Sequence, residues 1–211
     1  NHYSPEKYKA AFRRIVDRLR AQGVNNVTFV WHSGADSDSK AKLLQWYPGD
    51  AYVDWVGLTF FGIEANRLAN YNLISELSAE LDKHLMIAEA TPTGFITTSD
   101  KQRWFKALFD FIETEPVKML GYINSNWDVL PLSRDFGWGD AQIQNDTTIR
   151  DLWRQMVLGS SAYLQGVAEF FGDIGYDGAM LANREQIERE IQVMDGIVGH
   201  LNKVYPFHMS Q

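Results

Sequence analysis

Glu89 closes an unbroken apolar run: Leu85, Met86, Ile87 and Ala88 lead into its carboxylate, and Ala90-Thr91-Pro92-Thr93-Gly94 then breaks the chain. A short apolar run bounded by turn residues reads as a strand buried on both faces, as in parallel sheets covered by helices. Its last residue then lies at the carboxyl end of the sheet, where barrel enzymes gather their reactive groups. A carboxylate there is either a reacting group or half of an ion pair, because burying it alone costs several kcal/mol.

His32 ends a second strand-like run, Val27-Thr28-Phe29-Val30-Trp31-His32. A lone histidine in this position is either a hydrogen-bonded structural residue or a group that orients a carboxylate or a ligand hydroxyl. Metal chemistry is not expected. The chain has no cysteine and no His-x3-His pair, and Asp36-Ser37-Asp38 lacks the Gly and terminal Glu of a calcium loop. No cofactor motif is expected either. Seven Trp, nine Tyr and twelve Phe supply either a large core or flat rings that stack on sugars.

Positioning these groups needs an ordered set of elements, and 211 residues suffice for one well-packed domain plus a small appendage. Ser4-Pro5-Glu6 opens a helix whose stripe is Tyr8, Ala11, Phe12, Ile15, Val16 and Leu19, with Gly23 as its stop. After the Val27–His32 strand come loops at 33–38 and 46–50, then a strand over Val53–Phe60. Leu73, Ile74, Leu77 and Leu81 mark a helix ending near Lys83-His84, and the Glu89 strand follows. A helix from about Asp100 to Glu113 stops at Pro116. A strand over Met119–Asn124 then runs on towards Trp127, and a helix spans about Thr148–Leu158. Strands alternating with helices indicate a parallel α/β fold. Ile187, Ile191, Met194, Ile197, Val198 and Leu201 mark an amphipathic helix over Glu185–Val204.

Four segments taken in order resemble glycoside hydrolase family 26: YKAAFRRIVDRLRAQGVNNVTFVWHS from Tyr8, WYPGDAYVDWVGLTFF from Trp46, LMIAEATPTG from Leu85 and GYINSNWD from Gly121. The resemblance covers about Asn1 to Leu158. It implies a (β/α)8 TIM-type barrel and a retaining mechanism with two glutamates, acting on mannan first and on xylan or β-glucan next. It puts the nucleophile at the end of the family's seventh strand, which is Glu89. The acid/base glutamate ends the fourth strand and would lie upstream of Asn1. The expected organisation is therefore residues 1–159 as the last four β/α units of a barrel and 160–211 as a helical carboxyl-terminal extension.

Within that frame Trp127 is expected beneath the sugar being cleaved. His32, Trp31, Trp46, Phe60 and Phe61 are further substrate-binding candidates. Glu64 and Asp128 are the remaining acids near strand ends; they read as a helix-start residue and a solvated loop acid. The expected partner is a polysaccharide or oligosaccharide. Nucleic acid is not an expected partner, given the net charge of −7. A membrane span is excluded because no apolar run approaches ~20 residues. The chain starts at Asn1 with no signal pattern, and secretion is expected through a segment outside it. Four strands leave two sheet edges open, so self-association or pairing with the amino-terminal half is expected, and the isolated chain is expected to be inactive. The alternative is a non-catalytic carbohydrate-binding module that keeps the aromatic cleft.

Overall fold

A computed structural model of the protein describes residues 4–131, 133–160 and 163. The expected extension at 160–211, with its Glu185–Val204 helix, lies almost wholly outside the described residues. Residues 1–159 form one compact unit. The chain order is α1 (Pro5–Ala21), β1 (Val30–Ser33), α2 (Lys40–Leu44), β2 (Trp55–Phe60), α3 (Ala65–Glu80), β3 (His84–Ala90), α4 (Thr98–Thr114), β4 (Val117–Tyr122) and α5 (Thr147–Trp153). The four strands make one parallel sheet in the order β1-β2-β3-β4. This is the expected run of four β/α units.

Local chemistry explains most boundaries. Ser4 caps α1 by accepting the Lys7 N–H, Pro5 occupies the first turn, and Gly23 leaves the helix in the left-handed region at φ 76°. The Thr97 hydroxyl accepts the Asp100 N–H to start α4, and Pro116 separates that helix from β4. Several boundaries differ from the sequence reading: β1 opens at Val30 and not Val27, β2 at Trp55 and not Val53, and α5 ends at Trp153 and not Leu158. The short helix α2 fills the gap between the two expected loops, too brief for a visible stripe. Helix α3 begins at Ala65, well before Leu73. It ends before Asp82, whose φ of 53° turns the chain so that His84 opens β3 instead of closing a helix. β4 stops at Tyr122, short of Trp127.

The sheet has two distinct faces. One packs on the helices: Val56, Leu58 and Phe60 of β2 and Leu85 and Ile87 of β3 are buried with Tyr71, Ile74 and Leu77 of α3 and Trp104, Phe105 and Leu108 of α4. The opposite face carries Val30, His32, Gly57 and Ala88. A Cβ placed on Gly57 would lie 2.9 Å from Val30 Cγ1, 3.4 Å from the Ala88 Cβ and 3.5 Å from the His32 Cβ. Helix α1 packs more lightly than its stripe implies. Val16 is fully buried, but Ile15 is 60% exposed, and the helix leans on the loop after α2 through Tyr8–Trp46 and Arg13–Pro48 contacts.

Strand β3 contains the irregularity that matters most. On the β2 side Leu58 pairs with Ile87, but the next residue, Thr59, pairs with Glu89. On the β4 side Ile87 pairs with Leu120, and Ala90 pairs with Tyr122. Both neighbours register one extra residue between Ile87 and Ala90, which is a β-bulge.

Candidate active site

Because of the bulge, Glu89 leaves the face of Leu85 and Ile87, which its odd number would otherwise share. Its carboxylate meets Thr59 instead: Thr59 Oγ1 donates to Glu89 Oε2 at 3.1 Å. The same hydroxyl lies 2.8 Å from His32 Nε2. A hydroxyl has one proton, so with that proton on Glu89 the Thr59 oxygen accepts from His32, and Nε2 carries hydrogen. One residue from each of three adjacent strands thus forms a chain, His32–Thr59–Glu89. Desolvation among its neighbours pushes the His32 pKa below the ordinary value, and the Glu89 charge partly opposes that shift.

Glu89 opens into a cavity of about 230 Å³ lined by Gly34, Asp36, Thr59, Phe61, Arg67, Tyr71 and Glu89. Its wall joins two distant segments of the chain. Arg67, in the first turn of α3, reaches back so that Nη1 donates to Gly34 O and Ala35 O, both at 3.4 Å, and to the Asp36 carboxylate. Asn70 Nδ2 also donates to Ala35 O at 2.9 Å. These bonds hold a loop in which Ala35 adopts φ 57° without being glycine. The buried Tyr71 hydroxyl donates to Gly62 O at 2.9 Å and accepts the Phe61 N–H at 3.2 Å. Burial raises its pKa, so it stays a neutral phenol. Beyond the Gly34–Asp38 loop is a larger cavity of about 730 Å³, whose lining includes Tyr8, Trp31, His32, Asp38 and Trp46.

The aromatic candidates separate. Phe61 lines the Glu89 cavity and Trp46 the larger one. Phe60 does neither: fully buried, it stacks on Tyr71 at 4.4 Å and meets Trp104 edge-on at 5.7 Å. It shares the parity of Val56 and Leu58, so its ring belongs to the helix-facing core and is withdrawn as a sugar contact. Trp31 is 3% exposed and packs edge-to-face on Tyr47 at 5.0 Å, so it offers little surface to the larger cavity. Trp127 does not end β4. It sits beyond the strand in a one-turn 3-10 helix, tied to the rim because its Nε1 donates to Thr91 Oγ1 at 3.0 Å. Asp128 spends its carboxylate on the Gly139 N–H at 3.0 Å, and Glu64 is the N-cap residue of α3.

Three residues of the site escaped the sequence reading. Thr59 had a signal, since it follows Gly57 at the strand period on the face opposite Leu58 and Phe60. Arg67 had none, because its partners are more than thirty residues away. Trp138, whose ring lies 6.1 Å from that of Phe61, stands between two glycines, a turn signal that does not by itself point to the site. Among the described residues no group of three or more His, Asp or Glu could hold a metal ion.

The family model for glycosyl hydrolase family 26 matches residues 1–126. Two curated relatives, β-1,3-xylanases from Vibrio sp. and Alcaligenes sp., are each 26% identical over 205 residues, covering 83% of this chain and 44% and 43% of their own lengths. The chain therefore spans less than half the length of these relatives. Among solved structures, a family 26 β-mannanase from Bacteroides ovatus superimposes with a TM-score of 0.57 at 25% identity. That match covers 78% of this chain and 49% of the mannanase. A modular endo-β-1,4-mannanase from Cellulomonas fimi matches in fold with a TM-score of 0.57 at 23% identity, covering 77% and 37%. Both superpositions fit the sheet described above to part of a larger barrel.

Proposed function

This chain belongs to glycosyl hydrolase family 26, and on that premise we propose that it is the carboxyl half of a β-glycan hydrolase barrel with Glu89 as the nucleophile of a retaining reaction. The observation that carries the proposal is the bulge. It turns the one acid at the end of β3 into a ring-sized cavity and gives it a hydrogen-bond donor, Thr59.

In that reaction Glu89 attacks the anomeric carbon and the bond to the leaving oxygen breaks, giving a glycosyl ester. A second carboxylic acid about 5–5.5 Å away protonates the leaving oxygen, then takes a proton from the water that releases the sugar. Thr59 keeps one Glu89 oxygen oriented while the other attacks. Phe61 and Trp127 are the aromatic surfaces for the ring, and Trp46 and His32 line the approach. The second acid is proposed to come from further β/α units that pair with the edges of β1 and β4, which no described strand covers. The isolated chain should then hydrolyse little, because general acid help is worth roughly 10²–10⁴-fold. β-1,3-Xylan is the first substrate to test and β-mannan the second, following the names of the relatives.

A sugar whose leaving group needs no proton tests Glu89 in the chain as it stands. Dinitrophenyl 2-deoxy-2-fluoro-β-xyloside and β-mannoside should form a stable ester on Glu89, located by peptide mass spectrometry and absent from Glu89→Gln. An ester on Glu64 or Asp128 would displace Glu89 from the role. Oligosaccharide binding without any ester would favour a non-catalytic carbohydrate-binding module instead.

A further inference from the structure

After β4 the chain builds a pinned lobe between Asn126 and Ala141. An antiparallel bridge joins Asn126 and Asp140. The Trp127 N–H donates to Gly139 O at 3.1 Å, and the Gly94 N–H donates to Trp138 O at 3.0 Å, tying the lobe to the turn after Glu89. Gly137 and Gly139, at φ 65° and 83°, flank Trp138. Left-handed turns on both sides of Trp138 fix its backbone in a conformation that non-glycine neighbours would resist.

The rings that result form a row. Phe61, in the wall of the Glu89 cavity, lies 6.1 Å from Trp138, and Trp138 lies 5.4 Å from Phe136. Trp127 braces the indole edge-on at 5.1 Å. The outer member, Phe136, is 62% exposed, and Ile96, Val129 and Leu130 add exposed apolar surface. Rings fixed by backbone hydrogen bonds lose little entropy when a ligand covers them. An apolar patch with that rigidity marks a contact surface more than a packing defect.

We propose that Trp138 and Phe136 form a distal stacking subsite for a β-glycan chain as it leaves the Glu89 cavity. The occupant follows from continuity: the row begins at a ring that lines that cavity, so a chain held at Glu89 meets Trp138 next and Phe136 last. Pyranose rings present flat C–H faces to such surfaces, and the polar edges of the sugars remain in water. The inference rests on reading Glu89 as the sugar site, and it adds to that reading a length preference that the cavity alone does not create.

The test uses the chain as it stands with two probes from each series, the disaccharide and the hexasaccharide of β-1,3-xylose and of β-1,4-mannose, titrated by calorimetry. In the matching series the hexasaccharide should bind more tightly than the disaccharide. Phe136→Ala should weaken hexasaccharide binding about three- to tenfold, the loss of one stacked ring. It should leave the disaccharide and the melting temperature unchanged, and Phe136→Trp should restore the hexasaccharide. Unchanged hexasaccharide affinity in Phe136→Ala overturns the subsite and leaves Glu89 in place. Failure of every probe to bind the wild type overturns the subsite and removes the support for a sugar site as well. Trapping of an ester at Glu89 without any length dependence overturns the subsite alone.

Discussion

Thr59 and Glu89 stand side by side on β2 and β3, joined by a 3.1 Å hydrogen bond. Strict alternation from Leu85 and Ile87 would have sent the Glu89 carboxylate into the helix-facing core. The extra residue between Ile87 and Ala90 shifts the alternation from Glu89 onward, so Glu89 leaves the helix-facing side and Ala90, paired with Phe60, is buried on it. An unpaired carboxylate in that core would cost several kcal/mol. On the other face it has a hydroxyl partner and an open cavity.

Glu89→Gln should move the His32 titration midpoint further below the ordinary histidine value. The negative charge of Glu89 favours the imidazolium, and burial opposes it. Removing the charge leaves burial alone, so the neutral ring gains. Between the ordinary value near 6.5 and the lowered folded value, the unfolded chain binds the proton and the folded chain does not. Stability therefore falls as pH drops through that window, and the window should widen in the variant. NMR titration of the His32 ring protons reads the midpoint; an upward move would break the link between the two residues.

Gly121→Ala should disturb the bulge from the neighbouring strand. A Cβ there would lie 2.6 Å from the Ala88 carbonyl oxygen, an atom the bulge itself displaces and that cannot rotate away. A cost of about 1–3 kcal/mol is expected for forced overpacking. Gly57→Ala meets the Val30 methyl at 2.9 Å instead, a side chain with more freedom to shift, and should cost less. Urea midpoints of the two variants decide the order, and equal midpoints would count against a tight bulge.

Trp104→Phe should destabilise the sheet's helix side and remove a hydrogen bond to Phe61 in the cavity wall. The indole is fully buried, and its Nε1 donates to Phe61 O at 2.7 Å. Phenylalanine keeps most of the packing but leaves that carbonyl without its donor, worth about 1–3 kcal/mol. Trp104→Ala adds a cavity and should reach about 3–5 kcal/mol. Thermal melts in which the Phe variant matches the Ala variant would mean the hydrogen bond, not the volume, dominates.

Arg67→Gln should loosen the Gly34–Asp38 loop and little else. The guanidinium is the loop's shared anchor, yet its ion pair with Asp36 is largely solvent-exposed, so global stability should change by less than about 1 kcal/mol. Hydrogen exchange at the loop amides should quicken while β2 and β3 amides keep their protection. Unchanged loop exchange would show that Asn70 alone suffices.

Among the described residues the four strands and the four longer α-helices, in order, were legible in the sequence, and of the α-helices only the short α2 was not. Apolar runs bounded by turn residues made the strands, caps and prolines made the helix ends, and a carboxylate closing a buried strand stood out before any coordinates. Resemblance then supplied the barrel and the role expected of Glu89. Tertiary structure decided where side chains point and whom they meet. Local pattern fixes only parity along a strand, and a single extra residue reverses it; the bulge exists because of register with β2 and β4, which a linear reading does not contain. His32, Thr59 and Glu89 are 27 and 30 residues apart and meet only because three parallel strands align their carboxyl ends. Phe60 and Phe61 are neighbours in sequence, yet one is core and the other cavity wall. Trp127 reached the rim through a turn held by Thr91, since β4 ends five residues before it.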